Sequence, residues 1–139
     1  MKRKHYLILA ASALAAGTLV YVFYNQSPVV FAVLFQNIHV PKLTVRNPIL
    51  ACFLKCYCAD LCWAISFSFL VQSILMLNRK QAHWLLLTSA LGIIAELLQL
   101  FHIMKGVFDV NDIIVYLIGT IITAIIVRLG GKQYESNAE

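Results

Sequence analysis

Residues 108–127 read FDVNDIIVYLIGTIITAIIV. From Ile113 the run is apolar apart from Tyr116, Gly119, Thr120 and Thr123. It approaches the roughly 20 residues that a helix needs to cross a bilayer. Two carboxylates, Asp109 and Asp112, stand at its mouth. Upstream, residues 84–104 (WLLLTSALGIIAELLQLFHIM) are just as apolar but hold Glu96 and Gln99 inside the run. An ionised carboxylate deep in hydrocarbon costs about 2.5 kcal/mol or more on insertion scales. Both stretches therefore read as membrane spans, and both carry acids that something must compensate.

The rest of the chain agrees. Of its 139 residues, 61% are hydrophobic and 12% charged, against about 25% charged in soluble domains. Two further runs qualify as spans, at about 6–24 and 57–76, beside those at about 84–104 and 112–129. The expectation is an all-α membrane protein of four transmembrane helices forming one domain over residues 1–139, with an outer loop at 25–47. Lys2, Arg3, Lys4, Arg79, Lys80, Arg128 and Lys132 fall on one side, and Lys42, Arg46, Lys55 and Lys105 on the other. The positive-inside rule then places the N- and C-termini in the cytoplasm. MKRK followed by an apolar run and ALAAG also resembles a secretory signal peptide. The apolar run passes those small residues and continues to Tyr24, which favours an uncleaved first span. The net charge of +5 is spread over span ends rather than gathered with aromatics, which excludes nucleic acid as a partner.

The connections carry local signals. PVVFAVLF, residues 28–35, is too short to span and suits an interfacial segment or a short hairpin. RNPILACFLK reads as an interfacial lead-in to span two. Gly106 suits the left-handed position past a helix end. Asp109 suits the N-cap of span four, with Asp112 three residues on as in a capping box. The tail GGKQYESNAE is expected to fray.

Helical spacing gathers the polar residues of spans three and four. Ser89, Gly92, Glu96 and Gln99 form one stripe, and Asp112, Tyr116, Gly119 and Thr123 another. Small and polar residues turn inward in lipid, so the stripes are expected to face each other across an antiparallel pair. Glu96, about eight residues or ~12 Å from the outer end of its span, is expected to share a network with Gln99 and one of Asp60, Asp109 or Asp112. Acids from three spans thus reach one level. Close carboxylates do not all ionise without a cation or shared protons. Lys55 and Lys105, at similar depth, are candidates to neutralise them or to hold a lipid phosphate. Packing through polar stripes alone, with Glu96 as protonated glue, is the plainer reading.

Other chemistry is less well marked. Cys52, Cys56, Cys58 and Cys62 follow C-x3-C-x-C-x3-C, which matches no usual zinc or haem spacing; packing is the simpler role. His5 and His83 flank span ends, His39 lies in the long loop, and His102 falls off the Glu96 face. The carboxylates leave open an oxygen-ligand cation site, a general acid/base pair or a bound cationic partner, and the sequence specifies neither a metal nor a cofactor.

Glu96-Leu97-Leu98-Gln99, a turn ending in Phe108-Asp109, then Asp112 and Gly119 seven residues on, resembles the C-terminal half of the VanZ-like bacterial membrane proteins. The likeness covers about residues 84–129. Tyr116 stands where that family usually has Asn, Gly106-Val107 replaces a common arginine, and the early D-K-x-x-H stretch is absent; Asp60 and Trp63 are candidates to take its place. The resemblance implies a bacterial cytoplasmic-membrane protein of the cell envelope and names no reaction. Glu96, Asp109 and Asp112 are then the candidate catalytic residues. Gln99, Asp60, Tyr116, Lys55 and Lys105 are the candidate binding residues. The function expected is binding or processing of a lipid-linked envelope molecule or a cation. The alternative is a non-enzymatic subunit packed on a larger complex. Membrane lipids, and a larger membrane protein or a second copy, are the expected partners.

Overall fold

A computed structural model describes residues 2–24 and 43–136, with side chains described to Gly130. The expectation for residues 28–35 lies outside the described residues, as does His39. Among the described residues all regular structure is helical. Helix α1 is Arg3–Tyr24, α2 Pro48–Cys56, α3 Cys58–Leu75, α4 Ser89–Leu100 and α5 Val110–Ser136. A 3-10 segment, Ala82–Thr88, leads directly into α4. Among the described residues four stretches are long and apolar enough to span a membrane: Arg3–Tyr24, Cys58–Leu75, Ala82–Leu100 and Val110–Gly130. The chain is a multi-pass membrane protein by this measure.

Helix α3 is the hub. On one side α1 packs along it, because Gly17 removes a side chain: a Cβ there would lie 2.8 Å from the Trp63 ring. Tyr21 lies against the same ring, with centroids 5.7 Å apart. Deeper in, the Ser66 hydroxyl donates to the Ala10 carbonyl at 2.8 Å, and Tyr6 stacks on Phe69. On its other side α3 meets α5 at Gly119, where a Cβ would lie 2.9 Å from Ala64 Cβ. Ser68 and Thr88 share a 2.7 Å hydroxyl bond that ties α3 to the start of the third span. Such contacts use small residues and hydroxyls, since lipid gives no hydrophobic reason for helices to associate.

Helix ends follow from named residues. Asn47 caps α2, its Oδ1 accepting from the N–H groups of Ile49 and Leu50 at 3.0 and 3.2 Å. Pro48 at the first position has no N–H to leave unsatisfied. Helix α3 stops at Met76, in the left-handed region at φ 47°. The third span differs from expectation at both ends. It opens in 3-10 form, and it stops at Leu100 rather than Met104. His102, not Gly106, takes the left-handed position at φ 56°. The N–H groups of Ile103 and Met104 both turn back to the Leu98 carbonyl. The fourth span runs past the expected fray point: Gly130 and Gly131 do not break α5, which continues to Ser136.

Candidate carboxylate site

The site forms where α3 and α5 begin and α4 ends. Asp60 lies in the first turn of α3 and Asp112 in the first turn of α5. Glu96 lies four residues before the end of α4, or about 6 Å of helix rise, shallower than the eight-residue depth read from sequence. The carboxylates of Asp60, Glu96 and Asp112 lie within electrostatic range of one another, and the Tyr116 phenol lies within range of all three. Glu96 is 2% exposed; Asp60, Asp112 and Tyr116 are half-buried.

Glu96 has a defined partner. Its Oε2 accepts the backbone N–H of Asp109 at 3.1 Å. Asp109 is the residue before α5, and its Oδ1 accepts the N–H of Asn111 at 2.8 Å. The N-cap expectation is therefore met, but the capping box is not. In a capping box the acid three residues on would take the cap's own N–H. Here Glu96 takes that N–H from a different helix, and Asp112 remains free to face the site. A carboxylate at this point also meets the positive end of the α5 dipole.

Helices α4 and α5 touch where the stripes predicted, but only in part. A Cβ on Gly92 would clash with the Tyr116 ring. Gly119, expected to face the third span, instead packs on Ala64 and the Leu61 carbonyl of α3. The stripe of α5 is shared between two neighbours, because α5 sits between α3 and the third span. Gln99 lies against Gly106, whose φ of 151° excludes a side chain and whose missing Cβ would meet Gln99 Oε1 at 2.5 Å. Gln99 thus braces the loop that follows its helix.

Lys55 and Lys105 are exposed, and among the described residues neither pairs with a carboxylate. Two participants were not singled out from sequence. The Asn111 side-chain amide donates to the Tyr57 hydroxyl at 3.2 Å, joining the start of α5 to the break between α2 and α3. Asn111 sits between two acids in FDVND, and that position at a helix start was the available signal. Desolvation and then the Asp109 carboxylate raise the Tyr57 phenol above its ordinary value, so it stays protonated. Desolvation, the adjoining Cys52 thiol and the nearby Asp112 and Asp109 carboxylates likewise raise Cys56. A thiol so held is a poor nucleophile. Far from this site, Gln72 is 1% exposed and its Oε1 is buried without a partner, although its Nε2 donates to the Leu77 carbonyl at 3.0 Å.

Among the described residues no three His, Cys, Asp or Glu side chains converge to hold a metal ion. What the arrangement offers is a cluster of carboxylates that no lysine or arginine pairs with among the described residues. No known family model matches the chain, and neither a curated protein nor a solved structure matches it.

Proposed function

We propose that this chain is a VanZ-like protein of the bacterial cytoplasmic membrane that binds the cationic group of a lipid-linked envelope molecule at its carboxylate site. One observation carries the reading. Asp60, Glu96 and Asp112 come from three different spans to one level, and none is paired with a lysine or arginine among the described residues. Acids so placed hold protons in common or attract a cation. With no three-ligand metal set among the described residues, an ammonium-bearing headgroup suits these carboxylates better than a bare ion. The distribution of Lys and Arg supports an outward-facing site with cytoplasmic termini. The E-x-x-Q and D-x6-G pattern supports the family.

The test is lipid retention. The protein is purified from membranes holding phosphatidylethanolamine and phosphatidylglycerol, and bound lipid is read by native mass spectrometry. Phosphatidylethanolamine is expected to be enriched, and Asp60→Asn with Asp112→Asn to reduce that enrichment about tenfold, the worth of one hydrogen bond to a charged group. Unchanged enrichment in a folded variant would sink the reading.

A second reading has its own observation. The bond from Asp109 to Glu96 is a structural cap, which suits a non-enzymatic subunit that uses its polar groups for packing. Glu96→Gln separates the two, since it keeps the acceptor and removes the charge. Loss of amine-lipid retention favours binding; full retention favours packing.

A further inference from the structure

The two ends of the bundle differ in what they expose beyond the spans. At the end opposite the carboxylates, the turn between α3 and the third span is Leu77-Asn78-Arg79-Lys80-Gln81, and its last four residues are exposed and polar. At the carboxylate end the described connections are apolar. Helix α2 has no buried residue. Ile49 is 81% exposed, and Leu50 and Phe53 are exposed beside it. The loop after α4 is similar, with Phe101 at 69%, Ile103 at 70% and Val107 at 87% exposed. Large apolar side chains in a water-facing loop would be costly, at about 25 cal/mol per Å². Both segments also carry cations: Arg46 precedes α2, Lys55 lies within it, and Lys105 sits in the loop, all exposed.

We infer that this rim docks into the anionic phospholipid headgroup layer of the leaflet from which the carboxylate end emerges. The apolar side chains of α2 and of the 101–107 loop lie below the headgroups, and Arg46, Lys55 and Lys105 meet the phosphates. Two arguments favour lipid over a second copy of the chain. The rim is continuous with membrane-spanning surface, since a single residue, Tyr57, separates α2 from the span Cys58–Leu75. Its ionic side chains are cations, which complement phosphate and repel the same patch on a symmetry-related copy. Apolar residues with interspersed Lys and Arg are the composition of interfacial segments.

The rim is independent of what the carboxylates bind, and its test does not use them. The photoreactive residue p-benzoylphenylalanine is placed at Ile49 or at Val107 in the full chain. The protein is reconstituted in nanodiscs of phosphatidylcholine and phosphatidylglycerol, illuminated and weighed intact. Adducts with the mass of one phospholipid are expected at both positions, with phosphatidylglycerol favoured. Lys55→Gln and Lys105→Gln should each lower that preference about fivefold, the effect of one basic residue near an anionic surface. Arg79→Gln at the opposite end should leave it unchanged. A dimer-mass adduct would show a second copy on the rim. An adduct within the same chain, or none, would show a covered or water-facing rim. Each of these overturns the inference, as does a lipid adduct indifferent to headgroup charge.

Discussion

Glu96 shows how a costly residue is kept. Its carboxylate is almost fully buried, and one oxygen closes the start of a neighbouring helix by accepting the Asp109 N–H. An N-cap bond of this kind is worth about 1 kcal/mol, and a buried N–H left without a partner costs about 1–3 kcal/mol. Glu96→Ala should therefore lower stability in detergent by about 1–3 kcal/mol. Glu96→Gln, which still offers an oxygen, should cost clearly less. Thermal unfolding of both variants checks this. If Gln proved as damaging as Ala, the hydrogen bond would not be what the carboxylate contributes to the fold. Asp109→Ala should resemble the loss of an ordinary cap, at about 0.5–2 kcal/mol, since its Oδ1 bond to Asn111 is the conventional one.

At the scale of elements, two glycines decide which helices meet. Gly92 admits the Tyr116 ring and Gly119 admits Ala64. Gly92→Ala and Gly119→Ala should each destabilise by about 1–3 kcal/mol through overpacking, whereas Ile125→Ala on the exposed face should cost less. Second-site changes identify the neighbours. Tyr116→Ala should relieve Gly92→Ala but not Gly119→Ala, and Ala64→Gly should do the reverse. Relief of Gly119→Ala by Tyr116→Ala would contradict this packing. The Ser68–Thr88 bond makes a smaller claim: a double-mutant cycle with Ser68→Ala and Thr88→Val should give a coupling near 0.6 kcal/mol, as interhelical hydrogen bonds in membranes average. Zero coupling would mean that each hydroxyl is satisfied by its own helix, through the carbonyls of Ala64 and Leu85.

For the molecule as a whole, four candidate spans among the described residues leave both ends of the chain on one face, and the distribution of Lys and Arg is the basis for proposing that this face is cytoplasmic. A membrane-impermeant thiol reagent applied to intact cells should label a cysteine introduced at Lys105 and miss one at Arg79, in a background lacking the native thiols. The opposite pattern would reverse the orientation and turn the carboxylate site inward. The proposed orientation would put the apolar rim of α2 and the 101–107 loop in the outer leaflet, so one labelling experiment tests both features.

Hydrophobic run length determined four spans from sequence alone, because each run must satisfy its backbone within itself and does so as a helix wherever it lies. Composition likewise marked the acids as exceptional, since their cost in hydrocarbon holds whichever neighbour offsets it. The Asn–Pro start of α2 was not read from the sequence, although its cap is local, Asn47 reaching N–H groups only two and three residues away. What the tertiary structure decided is who meets whom. Periodicity put Gly119 on the face of Asp112 and Tyr116, but a helical stripe spans an arc wide enough for two neighbours, and only packing shows that α3 takes Gly119 while the third span takes Tyr116. The end of α4 at Leu100 was hidden for a similar reason: FHIM is as apolar as the helix before it, so hydropathy continues where the backbone turns. Above all, Glu96 and Asp109 are thirteen residues apart on either side of that turn. No spacing rule joins them, because a cap supplied from another helix depends on the path of the loop between.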